Sequence, residues 1–156
     1  MRLKIARTGF VVAFAACMLL SAVATAHADD GHRCSLARAS GKWSFTDDGT
    51  VVGVGPRTAV GILALDAAGN VSNGVATSSL NGAVANETFS GTYTVNSDCT
   101  GSISVQIFAS GTPTLAVTLN IAFDADMRHL RGIFTSVTTP TGAVLPTVIN
   151  LDGRRQ

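Results

Sequence analysis

The sequence predicts an all-β domain, an eight-stranded antiparallel up-and-down β-barrel, with a two-sheet β-sandwich as the alternative. Three observations carry that prediction. From Gly41 onward apolar residues recur with period two, and no window sets them at i, i+3, i+4 and i+7 over three helical turns. Turn chemistry separates the alternating runs, as in Asp66-Ala67-Ala68-Gly69-Asn70, Asn81-Gly82 and Ser110-Gly111-Thr112-Pro113. The connections are short, so consecutive strands are neighbours, and closing the sheet removes the edges that an open meander would expose. A barrel of about eight strands is either filled by its own side chains or holds one small ligand.

Ahead of that domain lie Arg2, Lys4 and Arg7, an apolar run over 9–20, and A-x-A sites at 24–26 and 26–28. A basic start, a short apolar stretch and a small-residue exit describe a secretory signal peptide, residues 1–28, cleaved after Ala26 or Ala28. The apolar run falls short of the roughly 20 residues a spanning helix needs, so no membrane span is expected after cleavage. Removing 28 of the 156 residues leaves 128, the size of one domain. Three of the 11 basic residues leave with the leader and none of the 10 acidic ones, giving a formal net charge of −2. That balance argues against a nucleic-acid partner, which calls for several positive charges on one face. Two cysteines remain, Cys34 and Cys99. In a secreted or periplasmic chain they read as one disulfide, closing a loop worth about 4 kcal/mol of chain entropy.

Residues 34–40 offer a short helical turn within an N-terminal segment, 29–40, that the disulfide ties to the barrel domain, 41–156. The first strand places Trp43 and Phe45 on one face and is expected to end at the turn residues Asp47-Asp48-Gly49. Strands follow at 58–65 and 71–80, the latter with a bulge at Asn73-Gly74. Asn81-Gly82 is the strongest hairpin signal, because both positions tolerate positive φ. Next come 84–95, bending at Gly91, then 102–108 and 114–123. In that sixth strand Leu115, Val117, Leu119, Ile121 and Phe123 share one face. Strands at 130–137 and 145–151 complete the set.

Gly41-Lys42-Trp43-Ser44-Phe45, Pro56 with Val60-Gly61, the 65–74 segment and Gly91-Thr92-Tyr93-Thr94-Val95 with Asp98-Cys99-Thr100-Gly101 carry a resemblance. They resemble small exported bacterial-type proteins of the allene oxide cyclase barrel-like group, over most of 41–105. The resemblance implies an eight-stranded barrel that binds a hydrophobic small molecule, with homo-oligomers among its members. It also implies, as an alternative, an isomerase or cyclase that steers an apolar substrate by shape. A third reading is a structural or surface-interaction protein with a packed barrel. No catalytic residue of the cyclases maps onto this chain.

The candidate catalytic residues are therefore read from the residues themselves. Glu87 and Tyr93 stand six apart on one expected strand and share a face if no bulge intervenes; that face is either lumen or solvent. Asn120 interrupts an apolar strand on the side away from its aliphatic residues. Candidate ligand-binding residues are Trp43, Gln106, whose amide could orient a carbonyl, and Arg57, either a clamp at the barrel mouth or a solvated loop side chain. His129 with Asp124 and Asp126 lacks a second histidine at a fixed ligand spacing, so no metal site and no cofactor are assigned.

Overall fold

The computed structural model describes residues 34–156. The expected signal peptide lies outside them. Eight strands close into one antiparallel barrel in sequence order, β1 (Gly41–Val51), β2 (Gly55–Leu65), β3 (Asn70–Leu80), β4 (Ala83–Val95), β5 (Thr100–Ala109), β6 (Thr112–Phe123), β7 (His129–Thr138) and β8 (Thr147–Arg155). β1 closes the barrel against β8 in register from Trp43↔Arg155 to Val51↔Thr147. Among the described residues no helix is long and apolar enough to cross a membrane.

Period-two patterning sets which side chains fill the interior. On β6, Val117, Leu119, Ile121 and Phe123 are buried while Ala116, Asn120 and Ala122 are exposed, as the alternation predicts. The expected bulge on β3 is present: the β3–β4 register shifts between Val71 and Gly74, and Asn73 has φ 52°. It moves the inward face from Val71 to Gly74 and Ser78. Asn81 and Gly82, at φ 49° and 86°, make the β3–β4 hairpin. The bend expected at Gly91 leaves the β4–β5 register unbroken from Glu87↔Ala109 to Val95↔Gly101, so parity along β4 holds.

One expectation is overturned. Asp47-Asp48-Gly49 is no turn: β1 runs on to Val51, and the chain reverses at 52–54. Asp47 keeps the parity of Trp43 and Phe45 and points inward, 2% exposed. Pairing with both β2 and β8 outweighs the local turn preference of those residues.

The two ends of the barrel differ. At the lower end α1 (Leu36–Ala39), N-capped by Ser35, sits across the opening. The Cys34–Cys99 disulfide, Cα–Cα 5.0 Å, fastens it to the β4–β5 turn. Trp43 packs edge-on against Phe123 at 5.7 Å and donates its indole N–H to the Ala39 carbonyl at 2.9 Å. Met127 is fully buried in the same core cluster. At the upper end the β7–β8 ladder stops at Ile133↔Asn150. Residues 139–146 fill the seam above, with the Leu145 N–H donating to the Val137 carbonyl and the Val52 N–H to the Pro146 carbonyl, both at 2.8 Å.

Candidate functional site

Most of the lumen is carbon. Phe45, Leu63, Phe89, Ile103, Leu119 and Phe134 line its middle. Phe45 and Phe89 meet edge to face at 5.7 Å, each ring lying on a glycine of a neighbouring strand, Gly61 of β2 and Gly74 of β3. A Cβ on Gly61 would stand 2.8 Å from the Phe45 ring and closer still to the Val75 carbonyl oxygen, so the glycine admits both the aromatic and the neighbouring backbone.

Into this apolar interior β1, β2, β3 and β4 direct a polar cluster. Arg57, 8% exposed, places Nε 3.4 Å from Asp47 Oδ1 and Nη2 3.5 Å from Asp47 Oδ2. The same guanidinium reaches Glu87 with Nη1 3.4 Å from Oε1 and Nη2 3.3 Å from Oε2. Ser78 Oγ donates to Glu87 Oε1 at 2.7 Å. The space comes from small inward residues: Ala59 stands opposite Asp47 and Ser78, and Ala76 opposite Glu87. Asp47 Oδ1 is buried and has no hydrogen-bond partner, its approach to Arg57 being an ion pair without hydrogen-bond geometry.

Burial pushes the Asp47 carboxyl above its ordinary range, with Arg57 pulling the other way. Burial alone would lower the Arg57 pKa, but the Asp47 and Glu87 carboxylates outweigh it and hold it above its ordinary value.

Two voids flank the guanidinium. One, of about 50 Å³, is bounded by the aromatic and aliphatic middle of the lumen together with Asp47, Arg57 and Glu87. The other, of about 80 Å³, lies towards the upper end among Val51, Leu80, Leu115, Val137, Leu145 and Ile149. Arg57, Ile107 and Phe134 line both and form the partition. Each void is well below the roughly 300 Å³ that a drug-sized ligand occupies.

The remaining candidates do not gather around this cluster. Tyr93 shares the inward parity of Glu87, but six strand residues put it about 20 Å away. There its hydroxyl donates to the Asp66 carbonyl at 2.6 Å and lies 3.1 Å from the Leu36 carbonyl. Burial, and then the Asp66 charge, raise its pKa to about 12. Asn120 is exposed on the outer face. Gln106 also lies off the lumen; its amide donates to the Leu115 carbonyl at 2.8 Å, beside the register shift at Ile107 and Phe108. Trp43 belongs to the floor. Arg57, for which a solvated loop position was the alternative, is buried. His129 places Nε2 2.6 Å from Asp152 Oδ2 and Nδ1 3.2 Å from Asp124 Oδ2, while Asp126 accepts from the Arg128 N–H. Among the described residues no group of three or more His, Cys, Asp or Glu is placed to hold a metal ion.

Asp47 and Ser78 escaped the sequence reading. Parity with Trp43 and Phe45 points to Asp47, but its neighbours Asp48 and Gly49 read as a turn. Ser78 changes face only through the bulge at Asn73.

No family model and no curated protein matches this sequence. Among solved structures the chain is similar to EF1p2_mFAP2b bound to DFHBI, with a TM-score of 0.55 and 16% identity over 78% of this chain and 100% of that one. It is similar also to the redesigned β-barrel mFAP1 bound to DFHBI, with a TM-score of 0.51 and 17% identity over 78% of this chain and 98% of that one. At such identities the likeness shows the closed eight-stranded barrel and nothing finer, and the kinship with allene oxide cyclases is not shown.

Proposed function

We propose that this chain is an exported barrel that binds a small, mainly apolar molecule in its lumen and acts by sequestering it. The observation that supports this reading most directly is the Asp47–Arg57–Glu87 cluster. It is a small, convergent polar group at one end of a carbon-lined cavity, the pattern by which ligand sites fix orientation. A barrel needing only stability would gain as much from apolar side chains there, since replacing a buried ion pair by packed hydrophobes is often neutral or stabilising. The two solved barrels of similar fold are bound to DFHBI, which supports a guest in this architecture. Export is supported by the Cys34–Cys99 disulfide and by the leader-like N-terminus.

The small voids limit the guest. Without rearrangement it has room for a few heavy atoms, and a larger one requires Phe134 or Ile107 to swing and join the two voids. The same void volumes favour a second reading, a barrel whose filled interior serves stability alone. Titrating the purified protein with xenon while following the lumen methyl and aromatic signals by NMR separates the two. Selective shifts at Ile103, Leu119 and Phe134 are expected for a binding lumen. Unchanged spectra at saturating xenon would leave the packed-barrel reading in its place. Native mass spectrometry of protein from its own host would then identify a retained guest.

A further inference from the structure

The polar cluster is unequally satisfied, and that inequality bears on which guests the lumen prefers. Glu87 is well served: Ser78 donates to Oε1 and Arg57 reaches both oxygens. Asp47 is not. Its closest guanidinium approach is 3.4 Å to Oδ1, without hydrogen-bond geometry, and Oδ1 is buried with no hydrogen-bond partner. A buried acceptor left unpaired carries a desolvation penalty, larger when it is charged, and a donor arriving at Oδ1 recovers it.

The charge balance points the same way. Asp47, Arg57 and Glu87 are the charged side chains around the central void among the described residues, and they carry a formal charge of −1. A cationic group brings the cluster to neutrality, an alcohol leaves it unchanged, and a carboxylate would take it to −2. Like charges in a carbon-lined space repel strongly, because little water is present to screen them. The void beside the cluster, about 50 Å³, has the size of a short alkyl fragment, and its walls are aliphatic and phenyl carbon.

We propose, resting on the lumenal-binding reading above, that the guest of this barrel is a small aliphatic amine. Its alkyl chain lies in the central void and its nitrogen donates to Asp47 Oδ1. Arg57 is then a positioning residue. Held by Glu87, which Ser78 fixes in turn, it keeps the Asp47 carboxylate beside the void without hydrogen-bonding Oδ1. Discrimination comes from a desolvated acceptor that waits for a donor, and a site built this way rejects guests that cannot supply one.

The test uses three probes of matched length, n-propylamine, n-propanol and propionate, titrated into the full-length purified protein at neutral pH. Lumen methyl and aromatic NMR shifts are the readout, and xenon is the probe without polar chemistry. The expected result is that n-propylamine binds several-fold tighter than n-propanol and at least about tenfold tighter than propionate. The Asp47→Asn variant, checked for an intact spectrum, is expected to lose the preference for the amine over the alcohol. The wild-type ranking decides the matter by itself should that variant fail to fold. If xenon and n-propanol shift the lumen signals while the amine shows no advantage, the amine assignment is overturned and the lumenal-binding reading stands. If no probe, xenon included, reaches the lumen signals, both fall together.

Discussion

Removing the cation from the lumen is the sharpest test of the buried cluster. In Arg57→Met a side chain of similar length keeps the packing against Ile107 and Phe134 but leaves Asp47 and Glu87 facing each other across carbon. Arg57 stands 3.4 Å from Asp47 and 3.3 Å from Glu87, and its loss strands two carboxylates whose side chains are only 3% and 10% exposed. Removing one partner of a buried ion pair costs about 3–5 kcal/mol. For a domain of this size that corresponds to a fall in Tm of about 12–20 °C. The pH dependence follows from Asp47. Burial raises its folded-state pKa above the unfolded value, so its protonated form favours folding. That contribution is complete below the unfolded pKa and is lost as pH rises through the folded one. Arg57 is what lowers the carboxyl in the native protein, so the variant has the larger raise and the larger penalty at neutral pH. Its deficit should therefore be greatest near pH 7 and shrink towards about pH 4. Denaturant unfolding followed through the single tryptophan, Trp43, measures both. A deficit under about 1 kcal/mol at neutral pH, or one of equal size in acid, would show that the cluster is hydrated and refute the reasoning.

Four further outcomes are expected. Tyr93 is the single tyrosine, so tyrosinate absorbance reports it alone; it should ionise near pH 12, and stability should decline as pH rises from the unfolded value of about 10 towards that point. Ionisation near 10 in the folded protein would contradict its burial at the floor. Tyr93→Phe, which removes the donor to the Asp66 carbonyl, should cost about 1–3 kcal/mol in denaturant unfolding. Reducing the Cys34–Cys99 bond should lower stability by about 4 kcal/mol, and faster amide exchange should appear at Leu36–Ala39 before the strands if the disulfide holds the plug. Gly61→Ala should destabilise by about 1–3 kcal/mol through collision with the Val75 carbonyl oxygen of β3 and with the Phe45 ring, and because the backbone contact remains, pairing it with Phe45→Leu should leave most of that loss in place.

The barrel was legible in the sequence because period-two alternation and turn residues are local signals that antiparallel neighbours reinforce. β6 shows this best: five alternate apolar residues name its inner face without knowledge of any partner strand. The polar cluster was far less legible. Arg57 follows Pro56, which reads as a strand entrance in solvent, and only pairing of β2 with β1, continuous to Val51↔Gly55, carries the strand back past both. Asp47 was hidden by a turn motif that the ladder overrides. Glu87 could be placed by parity only once Gly91 was known not to break the β4–β5 register. Each assignment turned on a strand end or a bulge, and these are set by partners distant in sequence. Tyr93 was half legible: its parity was right, but its hydroxyl partners come from α1 and the β2–β3 turn.

The asymmetry between the barrel's ends bears on how a guest would reach Asp47. The lower end is closed three times over, by α1, by the disulfide and by the Trp43–Phe123–Met127 floor, and Tyr93 bolts α1 to the β2–β3 turn. Opening it means breaking buried hydrogen bonds and a covalent link. The upper end is closed by less. Above Ile133 the β7–β8 ladder gives way to 139–146, whose Leu145 lies over the void beside Arg57. Displacing that segment sacrifices a few surface hydrogen bonds and one leucine contact, and regions of this kind open at lower free energy than core strands. Entry from above would meet Arg57 first. The guanidinium and Phe134 therefore stand between any guest and the acceptor at Asp47, so the partition that now divides the interior is also the element that must move for the whole lumen to be used.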